Sequence, residues 1–264
     1  MLERLTKAFQ KAQVEGRTGV IPYVTIGFRT AEETLAIVPA IEASGADAIE
    51  LGVPYSDPLA DGPTIQAASY WALSGGVDSS VCLDIVRRLR LNGVELPIIF
   101  MGYYNPILSY GMEAYARDCA ESGVDALIVP DLPPEESQAL RRALHSYDLG
   151  LVALLAPTSP EERIETGCRH SDGFVYCVSV AGVTGARADL PEDLTDFIGR
   201  VRKHTDLPIA VGFGIAERRH VETVGTVADA AVVGSALINV IDSSRLGEAA
   251  ERAGEFVASL TGSA

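Results

Sequence analysis

Apolar residues along this chain follow two alternating rhythms. The first is a short continuous run, found at Val20 to Ile26, Pro97 to Met101, Gly150 to Leu155, Phe174 to Val178 and Pro208 to Val211. Three further segments share one theme, a glycine or polar turn followed by Asp-Ala and an apolar stretch: Gly45-Ala-Asp-Ala-Ile-Glu-Leu-Gly52, Gly123-Val-Asp-Ala-Leu-Ile-Val-Pro130 and Val227-Ala-Asp-Ala-Ala-Val-Val-Gly234. Five runs and three segments predict eight strands, and strands without polar alternation suit a parallel sheet covered on both faces. The second rhythm has helical spacing, as in Leu194, Phe197, Ile198 and Val201, or in Leu246, Ala249, Ala250, Ala253, Phe256, Val257 and Leu260. Strand and helix alternate, and no Gly-x-Gly-x-x-Gly follows the first strand, where a dinucleotide-binding open sheet would carry it. A closed (β/α)8 TIM barrel of the α/β class is therefore expected.

Two additions to the bare barrel are visible. Met1 to Gly16 is charged and amphipathic, with Leu2, Leu5, Phe9 and Ala12 at helical spacing, which predicts an extra N-terminal helix. Pro54 to Gly62 after strand 2 and Ser179 to Pro191 after strand 6 exceed the usual length of a strand-to-helix connection. Both leave the carboxyl ends of strands, the face on which barrels build their active sites. The 264 residues are near the usual length for this fold, so one domain over residues 1–264 is expected.

Composition narrows the chemistry. A net charge of −15 would repel a phosphate backbone and excludes nucleic acid as a main partner. The N-terminal segment has neither the apolar run of a signal peptide nor that of a membrane span, so a cytoplasmic protein is expected. Cys82, Cys119, Cys168 and Cys177 form no C-x-x-C pair and read as reduced packing residues. His145, His170, His204 and His220 lack metal-ligand spacing, and no metal is expected. The lysines are Lys7, Lys11 and Lys203, none on a predicted strand end.

Alternation along strand 2 turns Ile49 and Leu51 toward the helices and Ala48 and Glu50 into the barrel. A carboxyl among apolar neighbours is penalised in its charged form, which suits it to give and take a proton near neutral pH. The loop that follows carries Asp57 and Asp61. Alone, Asp before Pro or Gly is ordinary turn chemistry. Beside an inward Glu50, Asp61 completes a pair of carboxylates able to divide proton-transfer roles. Three glycine turns follow the last three strands, Ala181-Gly-Val-Thr-Gly185, Gly212-Phe-Gly-Ile215 and Gly234-Ser-Ala236, and barrels bind phosphate there with backbone N–H groups and a short helix N-terminus. Tyr23, Met101, Ile128, Tyr176 and Phe213 should gather at the same end, where they can sheathe a flat apolar ring or simply fill the core.

The stretch Ile49-Glu-Leu-Gly-Val-Pro-Tyr-Ser-Asp-Pro-Leu-Ala-Asp-Gly-Pro-Thr-Ile-Gln66 resembles the signature of tryptophan synthase alpha chains. The turns at Gly182-Val-Thr-Gly185, Gly212-Phe-Gly-Ile215 and Gly234-Ser235 are similar to that family's phosphate loops, and Asn105-Pro106 and Asp131-Leu-Pro133 also match. The resemblance covers essentially the whole chain. It implies a lyase that cleaves indole-3-glycerol phosphate to indole and glyceraldehyde 3-phosphate by a retro-aldol step. Glu50 then matches the general acid/base, Asp61 the carboxylate that receives the indole N–H, and Tyr176 a tyrosine beside the reacting carbons. Thr184 matches a residue of the closing loop that meets Asp61. Gly185, Phe213, Gly214, Gly234 and Ser235 match the phosphate cradle. The chain has Val180 where some members carry Arg and Tyr23 where some carry Phe, and neither removes a group the chemistry needs.

The same resemblance implies a partner, the beta subunit of tryptophan synthase, in an alpha-beta-beta-alpha tetramer. Pyridoxal phosphate would reside on that partner and no cofactor on this chain. Tyr55, Ser56, Asp57 and Pro58, with the Asn105-Pro106 turn, would form the docking face. The absence of a strand-end lysine agrees with chemistry in which protonated indole is its own electron sink. The same absence argues against the neighbouring indole-3-glycerol phosphate synthase, which would want a lysine acid. A stand-alone indole-producing lyase and a non-catalytic regulatory partner remain as alternatives; loss of Glu50 or Asp61 would mark the second, and both are present.

Overall fold

In the computed structural model, which describes residues 2–178, 192–212, 214–245 and 247–263, the strands close into a parallel barrel in sequence order. They are β1 (Gly19–Thr25), β2 (Ile49–Gly52), β3 (Ile98–Met101), β4 (Ala126–Ile128), β5 (Gly150–Leu155), β6 (Val175–Val178), β7 (Ile209–Gly212) and β8 (Ala230–Val233). The helices are α1 (Leu2–Val14), α2 (Ala31–Ala43), α3 (Pro63–Ser74), α4 (Ser79–Leu91), α5 (Tyr104–Tyr110), α6 (Met112–Ser122), α7 (Gln138–His145), α8 (Glu161–His170), α9 (Glu192–Arg202), α10 (Arg218–Val224), α11 (Ser235–Asp242) and α12 (Ala249–Thr261). Each predicted strand is present, several shorter by a residue or more than its apolar run. The predicted helical faces of α9 and α12 turn inward, while Leu246 lies outside the described residues.

Strand alternation sorts the core into two layers. Ile49 and Leu51 pack outward against the helices, in a cluster with Ile37, Ile41, Ile85 and Leu89. Ala48 packs inside the barrel with Ile21, Ile99, Ala126, Val152 and Phe174. The N-terminal helix plugs the lower end of that interior. Its buried Leu5 and Phe9 join the inner cluster, and the Phe9 ring lies 5.3 Å from that of Phe174.

At the amino-terminal rim the repeated Asp-Ala theme acquires a physical role. Asp47 accepts a hydrogen bond from Val20 N at 2.9 Å and donates its own N–H to Val20 O at 3.0 Å. Asp125 makes the same two-way bond with Ile98, and Asp229 with Ile209. Asp172, which the sequence theme does not include, makes it with Leu151. Each aspartate thus satisfies an N–H at the start of the preceding strand, on the first residue of β3 and β7 and on the second of β1 and β5. Arginines balance three of them, Arg17 at Asp47, Arg4 and Arg90 at Asp125 and Arg202 at Asp229, while His145 Nε2 lies 2.8 Å from the Asp172 carboxylate.

One expectation meets a different outcome. Asn105 and Pro106, read as a turn, lie in the first turn of α5, where proline's missing N–H costs no intrahelical hydrogen bond. The long loop after β2 is present between Gly52 and Pro63. The loop after β6 falls outside the described residues, and with it Val180 and the expected closing and phosphate residues Thr184 and Gly185.

Candidate active site

The carboxyl end of the barrel is built around Glu50. Its Cα is in register with Tyr23 of β1 and Ile99 of β3, and Ile99 belongs to the inner cluster, so the side chain points inward as its parity requires. Glu50 is 1% exposed, and its Oε1 has no hydrogen-bond partner among the described residues. Burial alone pushes its carboxyl up to about 8. A structural carboxylate at that depth would be paired; an unsatisfied one in a barrel mouth marks a working group.

Asp61 stands over the same end, half-buried in the loop after β2. Burial raises its carboxyl to about 6, against the opposing effect of the Tyr103 hydroxyl beside it. The loop is held from below: Tyr103 Oη accepts from Ala60 N at 3.0 Å, and Gln66 Nε2 donates to Asp61 O at 2.8 Å. Near neutral pH Glu50 therefore keeps its proton while Asp61 is mostly ionised. Two carboxyls in different environments have separate roles, one a proton donor and the other an anion.

Tyr23 and Tyr176 join the two acids. Both rings are buried, and the charges of Glu50 and Asp61 each act, beneath the larger effect of burial, to hold both phenols protonated. Room for them comes from two glycines. A Cβ on Gly52 would sit 2.0 Å from the Tyr23 hydroxyl, and one on Gly212 would sit 2.6 Å from that of Tyr176. The Tyr23 hydroxyl also lies 3.2 Å from Thr25 Oγ1. Ile128 is buried and Met101 half-buried in the same inner cluster as Tyr176. Phe213 lies outside the described residues.

After β8, beside Tyr23, Gly234 is the N-cap of α11, with no side-chain cap and no acidic residue in the first turn. The N–H groups of Ser235 and Ala236 have no intrahelical acceptor, as at any helix start, and they are suited to an anion. Gly214 has φ of +46°, a backbone conformation that favours glycine.

The expected docking residues come together on the outer surface of the loop after β2. Asn105 Nδ2 donates to Tyr55 Oη at 3.3 Å, Ser56 Oγ donates to Asp57 at 2.9 Å, and Pro58 is half-exposed. Sequence reasoning missed Tyr103, Thr25 and Gly52. The first two carry no motif of their own; Gly52 stood inside the signature stretch, but its role needs the Tyr23 rotamer.

The largest described cavity, about 700 Å³, is at the opposite end of the barrel beneath α1. Its arginines, Arg17 and Arg202, are already committed to Asp47 and Asp229, so it is a crevice of the rim clamps and offers no free chemical group of that kind. Among the described residues no group of three or more His, Cys, Asp or Glu is placed to hold a metal, and no helix is long and apolar enough to cross a membrane.

Fold and site define an acid–base enzyme of the β/α-barrel class. Comparison with known proteins narrows it. Residues 9–261 match the family model described as tryptophan synthase alpha chain. The tryptophan synthase alpha chain of Roseiflexus castenholzii is 50% identical over 261 residues, 99% of this chain and 100% of that one. Among solved structures, tryptophan synthase subunit alpha from Legionella pneumophila superposes with a TM-score of 0.90 at 33% identity, covering 98% of this chain and 97% of that one. A chain of the tryptophan synthase complex from Pyrococcus furiosus superposes with a TM-score of 0.85 at 35% identity, covering 93% and 99%. The chain belongs to the tryptophan synthase alpha chain family and is a lyase.

Proposed function

We propose that this chain, working as one barrel domain in the cytoplasm, cleaves indole-3-glycerol phosphate to indole and glyceraldehyde 3-phosphate. The observation that carries this reading is the placement of a buried Glu50 carboxyl, its Oε1 without a partner among the described residues, and a half-buried Asp61 at one mouth, where burial raises both carboxyls. Glu50 gives its proton to ring carbon 3 of the indole, and Asp61 receives the N–H of the resulting cationic indolenine. The bond to the side chain then breaks as the neighbouring hydroxyl loses its proton back to Glu50, its oxygen becoming the aldehyde. Protons balance, and Glu50 ends as it began. Tyr176 lines the reacting carbons, while Tyr23, Met101, Ile128 and Phe213 sheathe the indole. Gly185, Phe213, Gly214, Gly234 and Ser235 hold the phosphate, and Thr184 closes toward Asp61.

The protonated indole is the electron sink, so the step needs no Schiff base. The lysines support this: Lys7 and Lys11 are on α1 at the lower end, and Lys203 follows α9 on the approach to β7. Indole is small and apolar, and a partner over the barrel mouth would receive it. That partner is a tryptophan synthase beta subunit carrying pyridoxal phosphate, docked on Tyr55, Ser56, Asp57, Pro58, Asn105 and Pro106 in an alpha-beta-beta-alpha tetramer. The Pyrococcus furiosus neighbour, solved as a complex, supports it.

Indole release by purified Glu50→Gln and Asp61→Asn, assayed with and without a beta subunit, tests both parts. Each variant should lose at least about two orders of magnitude. Near-normal turnover by either removes that residue from the mechanism. Stimulation of the unaltered chain by roughly tenfold, equivalent to about 1.4 kcal/mol of coupling, is the result expected of a docked partner; an unchanged rate favours a stand-alone lyase.

A further inference from the structure

Tyr103 follows β3, is 5% exposed, and bears no resemblance to a catalytic motif. Its hydroxyl nevertheless stands where the loop after β2 meets the barrel wall. Because Oη accepts the Ala60 N–H at 3.0 Å, its single proton remains free to be donated. The adjacent carboxyl of Asp61 lies against it. The phenol thus holds the loop by the backbone of residue 60, next to Asp61, and favours the Asp61 carboxylate, while Gln66 grips the Asp61 carbonyl. The same ring rests on a second ring that faces outward. Tyr55 lies 5.2 Å away at a tilt of 31°, and its hydroxyl accepts from Asn105.

We propose that Tyr103 is the positioning residue that aims the Asp61 carboxylate into the barrel, and that Asn105, Tyr55 and Tyr103 form a continuous relay from the outer face of the loop to that carboxylate. The inference rests on the role given to Asp61 above. A donated hydrogen bond favours the anionic form of a carboxyl, so Tyr103 holds Asp61 both in place and in its working charge state. The titratable groups that bear on this corner are Tyr23 of β1, Glu50 of β2 and Tyr176 of β6, with Asp131 acting on Tyr103 itself. The hydroxyl of Tyr103 opposes the burial that drives Asp61 toward its neutral form.

The test is the pH dependence of indole release by Tyr103→Phe, with Asp61→Asn beside it and melting curves to establish folding. Loss of the hydroxyl should lower the rate about tenfold or more and move the acidic limb of the profile upward by about half a pH unit or more. Incorporation of 3-fluorotyrosine at position 103 keeps the ring and makes a stronger donor, so the limb should move downward. An acidic limb that stays put in both proteins overturns the proposal while leaving Asp61 in the mechanism. A fully active Asp61→Asn overturns the reading of Asp61 itself, and the relay with it.

Discussion

The Tyr23 hydroxyl occupies the space that a side chain at Gly52 would need, with a Cβ there only 2.0 Å from the oxygen. The two residues are on adjacent strands and straddle Glu50, so glycine at 52 lets a full tyrosine lie across the barrel mouth. Gly52→Ala should lower stability by about 1–3 kcal/mol and depress indole release. Adding Tyr23→Leu should recover part of the stability, and a double-mutant cycle by thermal melting reads the coupling. A Gly52→Ala protein that melts like the unaltered chain would contradict the contact.

The separation of the two acids predicts a bell-shaped pH profile. In the proposed mechanism the working form has Asp61 ionised and Glu50 protonated, so the rate should rise through about 6 and fall through about 8. These limbs belong to the pair as macroscopic values. Residual activity of Asp61→Asn should lose the acidic limb and keep the alkaline one. A profile flat from pH 5 to 9, measured under single-turnover conditions, would be incompatible with this division of roles.

The same burial has a cost in stability with a defined direction. Glu50 titrates near 4.5 in an unfolded chain and near 8 in the folded one, so the fold binds the proton more tightly. The contribution is fully present below about 4.5 and is lost as pH rises through about 8, where a bare carboxylate is left in the barrel. Glu50→Gln carries no charge at any pH and escapes this loss. Its melting temperature should exceed that of the unaltered protein at pH 8.5 by more than at pH 5.5, a gap on the order of a few kcal/mol. An equal difference at both values would show that Glu50 titrates normally.

Position 234 separates shape from charge. A Cβ there would meet Ile65 at 3.6 Å and Tyr23 at 4.0 Å, ordinary contacts, so a methyl group fits. Gly234→Ala should bind glyceraldehyde 3-phosphate within a few-fold of the unaltered chain. Gly234→Asp sets a negative charge where the anion belongs, at the start of α11, and should weaken binding at least tenfold. Equal affinity of the Asp variant in calorimetry would move the phosphate site elsewhere.

Much of this was legible in the residue order, for identifiable reasons. Continuous apolar runs name buried parallel strands because both faces are covered, and strict alternation turned Glu50 inward without any knowledge of the barrel. The glycine turns after β7 and β8 were legible as an order of motifs, although their geometry was not. What escaped depends on side chains that meet only after closure. Tyr103 reaches Ala60 across 43 positions of sequence, and Gly52 makes sense only against the Tyr23 ring. Asp172 escaped because it precedes Gly-Phe instead of Ala, though its hydrogen bonds are those of Asp47, Asp125 and Asp229.

Those four aspartates divide the ring. Each ties an odd-numbered strand to the even-numbered strand after it: β1 to β2, β3 to β4, β5 to β6 and β7 to β8. Among the described residues, no aspartate side chain forms the corresponding clasp across the four remaining seams. The side-chain clasps thus mark the chain into quarters, each a βαβ piece, while backbone bonds such as Gly19 N to Asp229 O and Gly150 N to Asp125 O join one quarter to the next. A segment exchanged as a whole quarter carries both partners of its clasp, whereas one that begins or ends inside a quarter separates them. Quarters are thus the natural modules for exchange with a relative, and Glu50 and the Tyr23 it neighbours would always travel together.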